Sequence, residues 1–167
     1  MTAADEQKDG SYNFPNDEGE NDRLDLQHHL FCLTFDGNIF TAPIPKDQAI
    51  HRVLDVGTGT GIWAIDYADA HPEAHVSGVD LSPIQPASIP PNVSFEVDDL
   101  EEPWTFSQKF DFIFGRMLVG GIRNFPRLFE QSFENLNPGG WIELQDGTLP
   151  VHCDDGTLAE DAPLRQW

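Results

Sequence analysis

The sequence predicts an α/β protein with a doubly wound, mainly parallel sheet. Two observations carry this prediction: short apolar strands alternate with helical segments between residues 52 and 145, and a glycine-rich loop follows the first of these strands. Strands that alternate with helices assemble into parallel sheets. The 167-residue chain is long enough for one domain with a sizeable core, and it shows no internal repeat.

The N-terminal fifty residues are interpreted as a leader and a cap. Residues 1–22 carry seven acids against one lysine, and the first ten are expected to be disordered. Residues 23–50 predict a helix and then a hairpin that turns at Asp36-Gly37. The helix has a broad apolar face at helical spacing, formed by Leu24, Gln27, His28 and Phe31, with Leu26, Leu30 and Leu33 alongside.

Residues 51–150 predict the core of the fold, and residues 151–167 a C-terminal segment. The expected strands are RVLDVG, AHVSGVD, VSFEV, FDFIFG and WIELQ. Helices are expected at TGIWAIDYADA and FPRLFEQSFENL, and a Pro-rich connector follows the second strand. The run Asn137-Pro138-Gly139-Gly140 predicts a turn before the last strand.

The composition argues against several partners. Nine Lys and Arg against 29 Asp and Glu give a net charge of −20, which repels nucleic acid and anionic membranes. Cys32 and Cys153 lie far apart and are interpreted as free thiols in a reducing compartment. No apolar run approaches the ~18 residues of a membrane span. The sequence therefore predicts a protein of the cytoplasm or nucleus that binds neither nucleic acid nor membranes.

The loop after the first strand is the candidate ligand site. Gly57, Gly59 and Gly61 alternate with Thr58 and Thr60 at a place where parallel sheets bind their ligands. Glycines there allow positive φ and remove the Cβ atoms that would block a close ligand. A helix that begins near Thr60 offers free N–H groups to an anion.

Two cofactors compete for this loop, a nicotinamide dinucleotide and S-adenosylmethionine. The spacing G-x-G-x-G differs from the usual dinucleotide spacing, but Asp55 decides more. A carboxylate beside the loop repels a pyrophosphate and attracts the ammonium and sulfonium of S-adenosylmethionine. The sequence therefore favours S-adenosylmethionine.

Three further strand ends supply candidate cofactor ligands. Asp80, followed by Leu81, ends the second strand, where an acid accepts from ribose hydroxyls of either cofactor. Asp98 and Asp99 end the third strand, where one carboxylate could accept from the adenine amino group or simply form a solvated acidic turn. Arg116 lies at the tip of the fourth strand.

With these motifs the chain resembles the class I methyltransferases, and more narrowly the LaeA-like methyltransferases of filamentous fungi. The resemblance rests on YNFPNDEGENDRLDLQHHLF, VLDVGTGTGIWAIDYADAHPEAHVSGVDLSPIQP, NVSFEVDDLEEPWTF, RMLVGGI, LNPGGWIELQD and DDGTLAED. It implies a Rossmann-like sheet of order 3-2-1-4-5 that lacks its C-terminal strands. It also implies that the leader helix caps the pocket and brings Tyr12, Arg23 and Gln27 toward the cofactor, unless Arg23 merely pairs with a neighbouring aspartate.

The resemblance implies an S-adenosylmethionine-dependent methyltransferase, or the cofactor-binding part of one, that acts on a small molecule or protein in fungal secondary metabolism. The alternative is a non-catalytic module that binds the cofactor and acts through a protein partner; a NAD-dependent oxidoreductase is less favoured. No catalytic residue is assigned. His28, His29 and Cys32 are not expected to bind metal, because adjacent histidines on a helix point about 100° apart.

Overall fold

A computed structural model of the chain describes residues 17–147, 153, 155–159 and 161–162. Tyr12 and most of the predicted leader lie outside the described residues, as does most of the C-terminal segment. None of the helices in the described part is long and apolar enough to cross a membrane.

Five parallel strands form one sheet in the order β3-β2-β1-β4-β5. Their bounds are Arg52–Val56 for β1, His75–Asp80 for β2, Val93–Val97 for β3, Phe110–Arg116 for β4 and Leu136–Gln145 for β5. The predicted doubly wound sheet is confirmed. Because the order reverses between β1 and β4, the carboxyl ends of these two strands flank a crevice.

Three helices and a short 3₁₀ turn accompany the sheet. They are α1 at Glu18–Thr34, α2 at Ile62–Ala70 and α3 at Phe125–Asn135, with the 3₁₀ turn at Leu118–Gly120. Helix α1 begins at Glu18 rather than at the predicted Arg23, inside the acidic leader. The side chain of Asp17 caps it by accepting from the N–H of Glu20 at 2.8 Å, and the acids of the first turn suit the helix dipole.

The predicted apolar face of α1 is wrong in part. Leu24 and Phe31 face the domain, but Leu26, Leu30 and Leu33 are exposed by 68%, 60% and 64%. Helix α1 lies over a cavity and is held there by polar contacts, so its buried stripe includes a histidine in place of these leucines.

The predicted hairpin at Asp36-Gly37 is also wrong. Both residues have positive φ, 53° and 85°, and they end α1 in a tight turn that no strand follows before β1. The N–H groups of Thr41 and Ala42 donate instead to the Glu143 carboxylate, at 2.6–2.9 Å. A buried side chain on β5 thus satisfies this backbone, so no partner strand is needed.

The predicted turn at Asn137-Pro138-Gly139-Gly140 is a bulge inside β5. Leu136 lies opposite Phe110, whereas Trp141 lies opposite Phe112, so the extra residues loop out between two paired segments. The strand is consequently longer than the WIELQ segment that the sequence predicts.

Apolar side chains cover both faces of the sheet. On the face of α2, Trp63 stacks on Phe114 with ring centroids 3.8 Å apart and planes 4° apart. On the face of α3, Leu54 and Ile113 pack with Leu128. These two layers fix the strand ends from which the candidate site is built.

Candidate cofactor site beneath helix α1

A cavity of about 400 Å³ opens at the carboxyl ends of β1, β2, β3 and β4. Helix α1 forms one wall, through Arg23, Leu24 and Gln27. The structure brings most of the predicted cofactor residues into this cavity. Those that line it are Arg23, Asp55, Gly57, Thr58, Gly59, Asp80, Leu81, Asp98, Asp99 and Arg116.

The glycine loop adopts the conformation that the sequence predicts. Gly57, Gly59 and Gly61 have φ values of 70°, 55° and 80°. Added Cβ atoms would meet Leu118 at 2.5 Å from Gly57 and the Phe95 ring at 2.3 Å from Gly61. These two glycines therefore permit close packing of protein side chains, which the sequence did not indicate.

Gly59 differs from its two neighbours. A Cβ atom at Gly59 would meet only Leu24 of α1, at 3.5 Å, and both residues line the cavity. A longer side chain at this position would project into the space between the loop and α1. Gly59 is thus the glycine of the loop whose missing side chain leaves room for a ligand.

Helix α2 begins at Ile62, slightly later than predicted. Gly61, in the left-handed conformation, is its N-cap and offers no capping side chain. The hydroxyl of Thr60 donates to Asp25 Oδ1 at 2.7 Å, so the loop is tied directly to α1. The cap and the glycine loop therefore form one wall.

Asp55 lines the cavity and is only 3% exposed. The hydroxyl of Thr58 donates to its Oδ2 at 2.5 Å. Burial raises the pKa of Asp55 to about 7, although the hydrogen bond from Thr58 and the positive charge of Arg116 oppose the shift. A cation placed beside Asp55 would stabilise the ionised form and offset this desolvation.

Asp80, at the end of β2, supports the glycine loop. Its Oδ2 accepts from the N–H of Gly59 at 2.8 Å and its Oδ1 from the N–H of Ser82 at 3.0 Å. Burial raises the pKa of Asp80, and N–H donors from Gly59, Ser82 and Leu81 oppose the rise. These three donors still leave acceptor capacity on the carboxylate for a further donor.

Asp98 and Asp99 enter the cavity from the end of β3, beside Leu100. The N–H of Asp98 donates to the backbone oxygen of Asp80 at 3.1 Å, which extends the pairing of β2 and β3. Oδ1 of Asp99 accepts from the N–H of Glu101 at 2.9 Å, so its carboxylate also shapes the turn.

The two arginines of the cavity are engaged by protein groups. Arg23 makes two 2.8 Å hydrogen bonds to the Glu20 carboxylate on α1. Arg116 donates from Nε to Gln145 at 2.7 Å and from Nη2 to the backbone oxygen of Ile39 at 3.0 Å.

The sequence placed His28 on the face of α1 but predicted no role for it in the site. His28 is 6% exposed, and its Nδ1 lies 3.1 Å from Nη1 of Arg116. Because a guanidinium only donates, Nδ1 is the acceptor, so Nε2 carries the hydrogen and donates to Asp66 at 3.0 Å. His28 thus links α1 to both α2 and β4. Its helical register with Leu24 and Phe31 was the available signal.

An apolar floor completes the cavity. Trp63 and Phe114 lie beneath it, and the turn after β4 contributes Leu118 and Ile122. Met117 begins this turn with a positive φ of 54°. The sequence assigned none of these residues to the cofactor site, because apolar side chains at strand and helix positions resemble ordinary core.

The charge of the cavity favours a cationic, partly apolar ligand. Four carboxylates line it, whereas its two arginines hydrogen-bond to protein acceptors. A pyrophosphate would meet four carboxylates against two arginines, so the balance of charge disfavours it. Among the described residues, no group of three or more His, Cys, Asp and Glu side chains has the arrangement of a metal site.

Comparison with known proteins identifies the family of the chain. The chain matches the methyltransferase domain family over residues 26–167. It is 49% identical over 155 residues to methyltransferase pytC of Aspergillus terreus, covering 92% of this chain and 47% of pytC. It is 44% identical over 162 residues to secondary metabolism regulator LAE1 of Cochliobolus heterostrophus, covering 95% of this chain and 53% of LAE1. The chain thus spans about half the length of these relatives.

A solved structure shares the fold. The crystal structure of plantazolicin methyltransferase BpumL superposes with a TM-score of 0.53 at 19% identity, over 76% of this chain and 48% of BpumL. That structure contains S-adenosylhomocysteine and a desmethyl plantazolicin analogue. At this identity the likeness concerns the fold.

Proposed function

The chain belongs to the methyltransferase domain family, and from this membership we propose that it binds S-adenosylmethionine beneath α1 and serves methyl transfer to a small-molecule or protein acceptor. The observation that carries the proposal is the position of Asp55, a buried carboxylate that lines the glycine-loop cavity and whose pKa burial raises despite the positive charge of Arg116. S-adenosylmethionine brings an ammonium and a sulfonium to such a site.

The residues of the cavity fit this cofactor. Asp55 would attract its positive groups, and Asp80 would accept from its ribose hydroxyls with the lone pairs left by the loop N–H groups. Asp98 or Asp99 would accept from the adenine amino group. Gly59 leaves the space that the ligand needs. Tyr12, expected near the cofactor by resemblance, lies outside the described residues.

The arrangement suits a displacement reaction. When bound, S-adenosylmethionine supplies an electrophilic methyl group on its sulfonium. Trp63, Phe114 and Leu118 exclude water from the floor of the cavity, and α1 closes its side. Holding donor and acceptor in line can supply much of the acceleration, so the proposal assigns no general base.

The biological setting is proposed from the relatives. The names of pytC and LAE1 describe a methyltransferase and a regulator of secondary metabolism, and both match almost all of this chain. We place the chain in fungal secondary metabolism on that basis. Binding of the cofactor without transfer would favour the alternative, a module that acts through a protein partner.

Calorimetric titration tests the cofactor. S-adenosylmethionine and S-adenosylhomocysteine should bind to the 167-residue chain, and NAD should not. Transfer of a labelled methyl group to fungal metabolite and protein extracts then separates enzyme from binding module. NAD binding tighter than S-adenosylmethionine binding would refute the proposal.

A further inference from the structure

An exposed leucine stripe runs along the outer face of α1. Leu26, Leu30 and Leu33 are separated by four and three residues, so they share one face over about two helical turns. Their exposures of 68%, 60% and 64% leave most of each side chain in water. A single exposed leucine is ordinary, but an aligned row is typical of a protein-binding face.

The stripe is not needed to hold α1 on the domain. The opposite face of the helix makes those contacts: Leu24 and Gln27 line the cavity, and His28 is buried between α2 and β4. Phe31 packs under the Arg116 guanidinium, 4.5 Å from the ring centroid. The helix therefore has two apolar faces, of which the inner one packs against the rest of the described domain and the outer one is exposed.

The charge beside the stripe identifies the chemistry of its partner. Glu18 and Asp22 are exposed on one flank, and the only arginine of the helix, Arg23, hydrogen-bonds to Glu20. The whole chain carries a net charge of −20. Two copies meeting here would bring like charges together, whereas Lys or Arg beside apolar residues would complement both features.

We propose that the leucine stripe of α1 is a docking site for an amphipathic helix of a partner protein, with apolar residues facing Leu26, Leu30 and Leu33 and basic residues facing the acidic flank. Helix-in-groove recognition uses anchors at this spacing. Because the inner face of α1 lines the cavity, a partner helix that docks only while α1 lies over the cavity would stabilise this closed position.

Docking is therefore coupled to cofactor binding, and this second step rests on the proposed function. A partner that binds only the closed position of α1 raises affinity for the cofactor. By thermodynamic reciprocity, the cofactor raises affinity for the partner by the same factor. The affinity of the partner for the stripe would then depend on whether the cavity holds the cofactor.

The test uses a fluorescent synthetic helix of leucine and lysine as the probe. The triple variant Leu26→Ser, Leu30→Ser, Leu33→Ser should bind it at least about tenfold more weakly than the parent chain, a difference near 1.4 kcal/mol. The matched control, Phe129→Ser with Phe133→Ser, removes two exposed aromatic residues from α3 and should leave binding unchanged. Circular dichroism confirms that both variants are folded.

Three outcomes would overturn the docking proposal. Equal binding of the probe to the parent and the leucine variant would show attraction by net charge alone. Equal binding of the same helix with glutamate in place of lysine would refute the charge argument. Sedimentation showing that the parent dimerises and the leucine variant does not would assign the stripe to a second copy.

A separate measurement tests the coupling between docking and cofactor binding. Saturating S-adenosylhomocysteine should tighten probe binding, and an unchanged probe affinity would overturn the coupling. If S-adenosylhomocysteine does not bind the chain even without the probe, the proposed function fails, while a leucine-dependent probe affinity still supports docking.

Discussion

Arg116 at the end of β4 donates to His28 of α1 across 3.1 Å, and this contact joins the cap helix to the sheet. The same guanidinium lies over Phe31 and holds Gln145 and the backbone of Ile39. Burial lowers the pKa of Arg116, but the group stays charged. We infer that Arg116 positions α1, whereas the sequence suggested direct contact with the cofactor.

Replacement of Arg116 should therefore open the cap. Arg116→Ala should weaken S-adenosylhomocysteine binding about tenfold, through loss of roughly 1–2 kcal/mol of contacts that order α1. Hydrogen exchange should accelerate in α1 and remain unchanged in β1 and β2. Arg123→Ala, at an exposed arginine away from the cavity, is the control. Weaker binding without faster exchange in α1 would instead indicate direct contact with the ligand.

Asp55 should make stability depend on pH. Its pKa rises from 3.8 to about 7 on folding, so the folded state holds this proton between those values. The stabilisation is complete below pH 3.8 and is lost as pH rises through about 7. Asp55→Asn removes this loss, and at pH 8 its free energy of unfolding should exceed that of the parent by roughly 1–4 kcal/mol. Urea denaturation at pH 5 and pH 8 measures the difference, and a variant less stable than the parent at pH 8 would contradict it.

Asp55→Asn should raise the stability of the protein but weaken its binding of S-adenosylmethionine. The affinity of the parent for S-adenosylmethionine should rise with pH through about 7, as Asp55 ionises. Asp55→Asn should bind more weakly and without that rise, because it lacks the charge that attracts a cation. Calorimetry in buffers of different ionisation enthalpy would also detect proton release by the parent below pH 7. A pH-independent parent affinity would show that Asp55 does not face the positive groups.

The sequence predicted the sheet well and the cap poorly, for physical reasons. The strand ends were predictable because Asp55, Asp80 and Asp98 each lie within one residue of the carboxyl end of a short segment rich in β-branched residues. The outward face of α1 was not predictable, because Leu26 and Leu24 have the same side chain and only tertiary contacts distinguish their environments. The loop acids of the site were found by their position at strand ends.

Other parts of the site depend on contacts between distant segments. His28 acquires its role from Asp66 and Arg116, which are far from it in sequence. The segment around Thr41 forms no hairpin because Glu143, on β5, satisfies its backbone. Neither relationship leaves a local pattern in the sequence.

Asp80 should contribute more to cofactor affinity than an acid of equal charge outside the cavity. Asp80→Ala should weaken S-adenosylhomocysteine binding by about 1–3 kcal/mol, because it removes an acceptor for ribose and leaves the Gly59 N–H unpaired. Asp69→Ala changes the net charge equally at an exposed site on α2 and should have no effect. Equal losses in both variants would show that affinity follows the overall field of the chain.

Substitutions at Gly59 and Gly139 can distinguish the loss of space for the ligand from the effect of backbone strain. Gly59→Leu places a side chain in the cavity and a non-glycine residue at φ 55°, so it should abolish S-adenosylhomocysteine binding and cost about 1–2 kcal/mol of stability. Gly139→Leu is matched for strain, because Gly139 has φ 83° and open space around its Cβ position, and it lies in the β5 bulge away from the cavity. Thermal denaturation should show similar destabilisation of the two variants, and calorimetry should show ligand binding only by Gly139→Leu. Retention of binding by folded Gly59→Leu would mean that the cofactor lies elsewhere than between the glycine loop and α1.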